Sequence, residues 1–545
     1  MRNKKTTKFK IIMLIMALVV AVTFTGCDEE NVFSFGGGEG SNLRHTTEWT
    51  ISLPMEAVRT LNPMISRDED TYIISRLIFD GLFELDRYLM PQPRLVEHFT
   101  FNEGNLTLDI TLREGILWHD GEELTAEDVR FSIENYISLA NNNNTLFADY
   151  VSNIRQVNVV RGETHRLTIS FRNASNVGTE NLIFPILPAH QFRRGADITR
   201  NIEDFIPIGT GPYRVASYDS LHRLLLEPNP YYHGDIPRNQ LEFLIFPERE
   251  LAMNLINVGT ISVFISSEID RDTMISNINA NATNFVSNRA EFVAFNMRNG
   301  VLSDPWVRQA IAYAIDSQTI LESVYLNSGI LSNTLFFPFY FGNPNEEVYV
   351  FNLERSQQLL RQAGLRLDEE TGYLVDRHGG EVMISILVNE DNPRRMVTAQ
   401  IIQNALDNLG LQTYIIYCDW DEYVSRINAR NFDIYLGGYA FNERYDLRHL
   451  LHSQNGNVVG FSNSEADRLL DRMMSGVSNE ERAELFQELN AILIEELPYY
   501  TLLYKTFGAI STVSLVGEVD PFFNHFYNNS GEWFILRQIY AAVAE

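Results

Sequence analysis

The chain has 545 residues, with 71 acidic against 43 basic side chains and a net charge of −28. A chain of this length exceeds what one hydrophobic core supports, so two or three globular domains are expected. The strong negative charge disfavours nucleic acids and anionic membrane surfaces as partners. With only two cysteines, a disulfide framework is excluded as the main source of stability.

The first 26 residues have the three zones of a secretory signal. Basic residues and no acidic ones occupy positions 1–10, and an apolar run follows at 11–24. That run is shorter than the roughly 20 apolar residues that a membrane-spanning helix needs. We therefore expect 1–26 to be a removable signal peptide. The acidic, glycine-containing segment 27–42 is expected to be a flexible tether.

The four residues Phe24-Thr25-Gly26-Cys27 resemble the lipobox of bacterial lipoproteins, with phenylalanine where leucine is usual. In such proteins cleavage precedes the cysteine, and acyl chains are attached to its thiol. The resemblance implies lipidation of Cys27 and a membrane-anchored protein on the extracellular or periplasmic face. An ordinary secreted protein with an incidental cysteine is the alternative. The second cysteine, Cys418, lies in an apolar run and is predicted to be a core thiol.

Strand and helix signals alternate after the tether. The apolar residues Leu106, Leu108, Ile110 and Leu112 recur with the period of a half-buried strand. Thr125, three residues before Asp128, is close to a capping box and predicts the start of a helix. The sequence Gly209-Thr210-Gly211-Pro212 predicts a tight turn rather than a phosphate loop, since no helix start follows it.

The second half of the chain carries clearer helix signals. A helix is predicted over 303–325, with Ser303 or Asp304 as its N-cap and Pro305 at its first position. Further helices are predicted at 352–364, 393–409, 464–474 and 479–495, with strands at 382–388, 412–418 and 432–438. Alternating strands and helices favour an α/β architecture.

Signatures of catalysis are missing from the sequence. The chain has no H-E-x-x-H, G-x-S-x-G, P-loop or G-x-G-x-x-G motif, so neither an enzyme nor a bound cofactor is expected. His449 and His452 could share a helix face as metal ligands, but no third ligand is evident, and no metal is expected. An anchored extracellular hydrolase is the alternative from another functional class.

Several segments, standing in order, resemble the solute-binding lipoproteins of bacterial ABC importers. The resemblance is to the branch that carries oligopeptides, dipeptides and nickel chelates, known as family 5. The matching segments are LREGILWHDGEELTAEDVRFS (112–132), GTGPYRV (209–215), EPNPYYHGDIP (227–237), LSDPWVRQAIAYAID (302–316), RSQQLLRQAGL (355–365) and SNSEADRLLDRM (462–473).

This resemblance implies a two-lobed α/β fold of the periplasmic-binding-protein kind, with an extra domain inserted into the first lobe. Solute would bind in the cleft between the lobes. The implied boundaries are 43–78, 196–286 and 506–545 for the first lobe, 79–195 for the inserted domain and 287–505 for the second lobe.

The resemblance also implies a function. The protein would be an anchored receptor that closes around short peptides, or a peptide-like solute, and delivers them to the permease subunits of an ABC transporter. A monomer is expected. Two alternatives stay open: an oligosaccharide receptor of the same transporter class, and a receptor that senses peptides without importing them.

Candidate solute-binding residues come from the same resemblance. Peptide-binding relatives have two aromatic walls and an aspartate that pairs with the peptide amine. Trp420 and Tyr439 fall on the aromatic positions, and Asn442 falls on the aspartate position. A neutral amide cannot form that ion pair, so either another acid takes over or the solute has no amine. The candidate acids are Glu443, Asp446 and the acids of SRDED, among them Asp68.

Two aromatic residues of the inserted domain are further candidates. Phe147 and Tyr150 lie in the segment NTLFADYVSN (144–153), where some relatives contact the peptide. Packing in a core is the alternative for both of them, and also for Trp420 and Tyr439. Asn442 has the alternative of a loop cap, and Glu443 and Arg444 that of pairing with each other.

Overall fold

The computed structural model describes residues 43–540 apart from 103, 105, 176, 193–197, 200–204, 267–279, 299, 343 and 346–347. The predicted signal peptide, the tether and Cys27 lie outside the described residues. Contacts divide the described chain into two units. The smaller unit comprises 43–48 and 536–540, and in it Arg537 Nε lies 2.7 Å from Glu48 Oε2. The larger unit, 49–535, contains the elements discussed below.

The described strands and helices are numbered in chain order. The strands are β1 Leu43–Glu48, β2 Thr50–Glu56, β3 Phe83–Leu85, β4 Pro91–Pro93, β5 Val96–Phe101, β6 Thr107–Leu112, β7 Ile154–Val159, β8 Arg166–Phe171, β9 Tyr213–Asp219, β10 Arg223–Pro228, β11 Gln240–Phe246, β12 Val263–Ser266, β13 Ala280–Phe295, β14 Gly329–Leu331, β15 Arg366–Leu367, β16 Leu374–Val375, β17 Met383–Asn389, β18 Gln412–Cys418, β19 Ile434–Ala440, β20 Tyr499–Thr512, β21 Leu515–Val516 and β22 Phe534–Tyr540. The helices are α1 Glu69–Ile78, α2 Ala126–Asn141, α3 Ala148–Val151, α4 Pro305–Ala314, α5 Ser317–Ser323, α6 Leu353–Gln362, α7 Pro393–Asn408, α8 Trp420–Asn428, α9 Arg448–Leu451, α10 Ser464–Met473 and α11 Asn479–Glu496. In the described part of the chain, no helix is both long and apolar enough to cross a membrane.

A four-stranded sheet in the order β2-β11-β10-β9 joins the beginning of the larger unit to residues 213–246. Strands β2 and β11 run parallel, and Ile51 lies opposite Leu241. Apolar side chains on alternate positions of three strands are buried, because one face of each strand packs on the core. They are Ile51, Leu53, Met55, Leu224, Leu226, Leu241 and Phe243.

A second four-stranded sheet is antiparallel, in the order β5-β6-β8-β7. The predicted alternation is confirmed within β6, where Leu108, Ile110 and Leu112 are buried. Leu106 departs from the prediction, because it lies before the strand and its side chain is 47% exposed. The predicted capping box is confirmed at the start of α2, where the Thr125 backbone N–H donates to the Asp128 carboxylate at 2.8 Å.

The largest sheet of the described chain has the order β12-β20-β13-β19-β17-β18, with β14 added to β20. Strands β17, β18 and β19 are parallel to one another, whereas β13 and β20 form a long antiparallel pair. A register irregularity interrupts that pair between Val286 and Ala290. Helices cover the sheet with buried apolar residues, which include Val307, Ile311, Leu359, Ile402 and Leu406.

The predicted helices at 352–364, 393–409, 464–474 and 479–495 and the three predicted strands all form, to within two residues at every end. The helix predicted over 303–325 is wrong in extent. Its N-cap is Asp304, as one of the two alternatives expected, but it ends at Ala314 and a new helix begins at Ser317. The break follows from Asp316, whose carboxylate accepts from the Thr319 backbone N–H at 3.0 Å and caps the second helix.

The predicted turn at Gly209–Pro212 packs directly on the end of α1. A Cβ atom on Gly209 would lie 1.8 Å from the Ile78 carbonyl oxygen, so only glycine fits there. The next residue, Thr210, donates its hydroxyl to the buried carboxylate of Asp80 at 2.8 Å. Although burial opposes the charge of Asp80, hydrogen bonds from His233 and Arg94 hold its pKa well below the usual range. The turn therefore joins several segments of the chain through one charged residue.

Replacing Gly209 with alanine is expected to lower the free energy of unfolding by about 1–3 kcal/mol or more, because the backbone has to move to admit a methyl group. Urea denaturation measures the loss. Gly380→Ala is the matched control, since its nearest neighbour at 3.0 Å is the end of the partly exposed Asp376 side chain rather than backbone. Equal effects of the two substitutions would contradict the close approach as the reason for glycine at 209.

The same turn makes stability depend on pH through His119. The Gly209 backbone N–H donates to His119 Nδ1 at 3.1 Å, and His119 Nε2 donates to the Gly211 carbonyl at 3.3 Å, so the ring is neutral. Burial lowers the pKa of His119 from 6.5 to about 4. A lowered histidine pKa means that the unfolded chain binds the proton first. Stability from this group is therefore present above pH 6.5 and is lost as the pH falls toward about 4.

The measurement is urea denaturation of the wild type and of His119→Gln across that range. The wild type should lose stability relative to the variant by up to about 1.4 kcal/mol per pH unit. Parallel pH profiles for the two proteins would show that His119 does not titrate in this way.

Candidate functional site

The parallel strands β17, β18 and β19 end at the same edge of the largest sheet. Ligands of open α/β sheets bind in the crevice beyond the carboxyl ends of such strands. Cys418, the last residue of β18, is buried, which confirms its prediction as a core thiol. Trp420 follows directly at the start of α8, and Tyr439 lies near the end of β19. The two predicted aromatic residues thus share this edge.

A buried charge cluster lies beneath the end of β19. Glu291 of β13 accepts from Arg395 Nε at 2.8 Å, and Lys505 Nζ of β20 lies 2.6 Å from its other oxygen. A Cβ atom on Gly438 would lie 2.3 Å from the Arg395 guanidinium, so glycine is needed for this packing. The backbone next to Tyr439 therefore packs closely against this charged cluster.

The structure places the two predicted aromatic walls differently. Tyr439 is 38% exposed, packs its ring against Phe441 and His449, and lines a cavity. Trp420 is 52% exposed and stacks on Tyr423 with ring centroids 5.6 Å apart. Trp420 does not line that cavity, so the two residues do not form facing walls in this conformation.

The cavity beside Tyr439, called the small cavity below, has a volume of about 370 Å³. Asp149 and Ser152, from the end of α3, line one part of it. The rest of the lining comes from Tyr439 of β19 and from residues after that strand, among them the predicted site residues Asn442 and Asp446. The remaining lining residues are Phe441, Arg444 and His449. The small cavity is therefore built from the two parts of the chain that were predicted to meet at a solute site.

Glu443 lies at the centre of a buried cluster that joins distant parts of the chain. Its Oε1 accepts from Arg76 at 2.8 Å and from the Tyr72 hydroxyl, and its Oε2 accepts from the Tyr150 hydroxyl at 2.9 Å. Tyr72 and Arg76 are four residues apart on α1, so they share one helix face. These four residues are called the Glu443 cluster.

The electrostatics of the Glu443 cluster keep its donors protonated. Burial, with the nearby Glu443 charge, raises the pKa of the Tyr72 and Tyr150 hydroxyls well above the ordinary value. Burial opposes the charge of Arg76, but the Tyr72 and Glu443 oxygens beside it raise its pKa nonetheless. The cluster is a buried ion pair in which two neutral hydroxyls satisfy the remaining lone pairs of the carboxylate.

The alternative of an ion pair between Glu443 and Arg444 is wrong. Arg444 instead donates Nη1 to the Asn181 side-chain oxygen at 3.0 Å and lies over the Tyr150 ring at 5.0 Å. Asn442 Oδ1 accepts from the Arg444 backbone N–H at 3.1 Å, which is the loop-capping role considered for that residue. The loop thereby directs Glu443 and Arg444 to different partners.

The other predicted acids also have partners. Asp446 accepts from Arg448 at 2.6 Å, and although burial opposes its charge, this contact keeps the pKa of Asp446 below its usual value. Asp68 accepts from the Arg59 backbone N–H at 3.1 Å. It lines a separate cavity of about 150 Å³ that also includes Arg249 and shares no lining residue with the small cavity. Asp68 is thus not brought together with the residues after β19.

Phe147 packs in an aromatic group, with its ring centroid 5.4 Å from that of Tyr136 and 5.6 Å from that of Tyr150. Much of the Phe147 side chain is therefore packed in the core, as the alternative for this residue expects. Phe147 nevertheless lines the edge of another cavity, whereas the Tyr150 hydroxyl reaches Glu443. Of the two predicted residues in this segment, it is Tyr150 that the structure brings into contact with another predicted residue, Glu443.

The other cavity, called the large cavity, has a volume of about 1070 Å³. Its lining residues come from 49–94, 147–238 and 525–534. Aromatic rings and charged side chains form much of the wall, together with small, aliphatic and amide residues. The aromatic residues include Tyr72, Phe83, Phe147, Tyr232 and Tyr527, and the charged residues include Arg76, Asp80, Glu84 and Arg94.

Tyr72 and Arg76 were not predicted as site residues. Their spacing of four residues, among the apolar Ile73, Ile74 and Leu77, is the sequence signal of a helix with one polar stripe on a buried face. His449 and His452 do not join a metal site in the described chain, where no group of three metal-binding side chains occurs. His449 instead packs on Tyr439.

Comparison with known families decides the class of the protein. Residues 90–457 match the family described as bacterial extracellular solute-binding proteins, family 5, middle. The chain belongs to this family. It is therefore the solute-binding component of an ABC importer and not an enzyme.

Individual relatives match over nearly the whole length. The oligopeptide-binding protein AppA of Bacillus subtilis is 22% identical over 534 residues, which cover 92% of this chain and 94% of AppA. Heme-binding protein A of Haemophilus influenzae is 24% identical over 469 residues, covering 81% of this chain and 84% of that protein.

The fold matches solved structures of the same class. The ABC transporter substrate-binding protein from Sinorhizobium meliloti superimposes with a TM-score of 0.74 at 18% identity. The match covers 90% of this chain and 100% of the other. The fold class predicted from the sequence, a periplasmic-binding-protein-like α/β fold, is confirmed. The boundaries predicted for the lobes and the inserted domain stay a prediction.

Glu443→Gln is expected to lower the free energy of unfolding by about 3–5 kcal/mol, because it leaves Arg76 buried without its counter-charge. Urea denaturation measures the loss. The double variant Glu443→Gln with Arg76→Met should lose less stability than the sum of the two single-variant losses, since both substitutions remove the same ion pair. Glu465→Gln is the control, because its pair with Arg468 is exposed on both sides and its loss should leave stability nearly unchanged. Additive losses at Glu443 and Arg76 would contradict the pairing.

Proposed function

We propose that the solute is a short peptide or a peptide-like molecule, bound beside Glu443 and Tyr439 and then passed to the permease of an ABC importer. The observation that carries the proposal is the meeting of two segments at the carboxyl end of β19. There Asp149 and Ser152 approach Tyr439 and Asn442 around the small cavity. A cavity between two parts of the chain suits capture by closure.

Backbone recognition supports a peptide over a rigid solute. The residues after β19 present an aromatic ring at Tyr439 and an exposed amide at Asn442, and an amide both donates to and accepts from a peptide group. AppA of Bacillus subtilis, matched over most of its length, is named for oligopeptide binding. A tyrosine ring and an amide would also suit a sugar, so an oligosaccharide is the outcome to be separated by experiment.

Glu443 is our candidate receptor for the peptide amine. It lies one residue from Asn442, where relatives carry the amine-binding aspartate. Asp446 and Asp68 are less suitable, because Asp446 is held by Arg448 and Asp68 lies at a different cavity. The peptide ammonium would meet a carboxylate that is already positioned by the hydroxyls of Tyr72 and Tyr150.

Attachment to the membrane completes the proposal. The sequence Phe24-Thr25-Gly26-Cys27 favours cleavage before Cys27 and acylation of its thiol. A lipid anchor would hold the receptor at the extracellular or periplasmic face beside its permease. Receptors held in this way meet the transporter by motion within two dimensions, which raises their effective concentration.

The test uses native mass spectrometry and calorimetry of the purified protein with peptides of two to six residues. Asn442→Asp should raise the affinity for peptides with a free amine about tenfold to hundredfold, since a hydrogen bond to a charged group contributes about 1.5–3 kcal/mol. Acetylated peptides should show no such gain. Asn431→Asp is the control, because it adds the same charge on an exposed residue before β19.

Two results would count against the proposal. Binding of hexose-containing compounds but of no peptide would replace the peptide with an oligosaccharide. Peptide binding with the same gain in both variants would show that the amine is not received beside Asn442.

A further inference from the structure

The Glu443 cluster stands between the two cavities. Tyr72 and Arg76 line the large cavity and donate to Glu443, whereas its sequence neighbours Asn442 and Arg444 line the small cavity. On the other side, Phe147 lines the large cavity and Asp149 the small one. Tyr150, next along that segment, bonds to Glu443. The cluster is therefore the partition between the cavities.

The two members of the ion pair differ in their freedom to move. Glu443 lines neither of the two cavities and receives donors on both oxygens. Arg76 borders about 1070 Å³ of open space, into which its long side chain can turn. Arg76 is the member that can leave, and Glu443 is the fixed acceptor.

Exchange of one cation for another at Glu443 has a low electrostatic cost. Breaking a buried ion pair is costly because one charge remains buried without a partner. An incoming ammonium that takes the place of the Arg76 guanidinium leaves Glu443 paired throughout. The displaced guanidinium would enter the large cavity, where the Tyr72 hydroxyl and the Glu84 carboxylate are lining groups that can accept from it.

The large cavity has the size and lining for an extended chain. Its volume of about 1070 Å³ is at the upper end of ligand pockets, which hold about 300–1,000 Å³. Aromatic rings offer apolar surface for several side chains. Polar side chains also line the cavity, among them Asn528 and Asn529, and an amide both donates to and accepts from peptide groups.

We propose that the large cavity is the chamber for an oligopeptide, and that the peptide's amino terminus opens the partition by replacing Arg76 at Glu443. The inference rests on the proposed function: the amine is received at Glu443, next to Asn442, and the rest of the peptide extends from there into the large cavity. A dipeptide would leave most of the chamber empty, so longer peptides with a free amine are the preferred class.

The first experiment measures affinity by calorimetry for peptides of two to nine residues with the same first two residues. The affinity should rise from two to at least five residues, as successive residues bury surface in the large cavity. An affinity that stops rising at two residues would contradict the large cavity as the binding site for an oligopeptide. Absence of binding for every peptide would instead contradict the proposed function itself.

The second experiment compares Arg76→Met with Arg482→Met. Arg482 forms a buried ion pair with Glu180 at 2.9 Å, between similarly distant parts of the chain, but it lines neither cavity. Without its competitor, Glu443 should bind free-amine peptides about tenfold more tightly in Arg76→Met. Acetylated peptides should be unaffected by that change.

Arg482→Met should change the affinities for free-amine and for acetylated peptides by the same factor, whatever the size of that factor. Thermal unfolding provides a second readout if Arg76→Met is destabilised. A free-amine peptide should raise the melting temperature of Arg76→Met by more than it raises that of the wild type. An equal effect of Arg76→Met on free and acetylated peptides would overturn the exchange at Glu443.

Discussion

Burial of the Glu443 carboxylate governs how the distant parts of this chain meet. A carboxylate removed from water costs several kcal/mol unless a cation and hydrogen-bond donors surround it. Helix α1 supplies the cation and one hydroxyl, and the segment that follows α2 supplies the other hydroxyl. Residues separated by 367 positions in sequence are thereby held within hydrogen-bonding distance. The two cavities take their boundary from this one charged group.

Helices and strands could be predicted from the sequence wherever capping or terminating residues mark their ends. Helix α7 is one example, because Asn392 caps its start and Gly410 follows its end. The break between α4 and α5 was missed, since apolar spacing continues across it and only Asp316 marks the second cap. Resemblance to family 5 supplied the fold class, which no pattern of apolar residues specifies by itself.

The candidate site was predictable only in part. Tyr439 and Asn442 could be placed at a cavity because they match positions in relatives, and the small cavity includes both. The partner of Glu443 could not be found in this way, because Arg76 is brought to it by the packing of α1. His525 and Asn529 have no local signal at all. Within the described residues, their buried Nε2 and Oδ1 atoms have no hydrogen-bond partner, which depends on the packing around them and not on their neighbours in sequence.

The long strands β13 and β20 remain hydrogen-bonded on both sides of the irregularity at Val286–Ala290, and the Ser287 hydroxyl also donates to the Lys505 carbonyl at 2.7 Å. A bend at this point has to deform both strands together, because they are hydrogen-bonded to each other, whereas a single flexible linker would turn freely. Bending such a pair stores elastic energy. Any solute that flexes it binds less tightly by that amount, so residues that never touch the solute help to set how readily it is released.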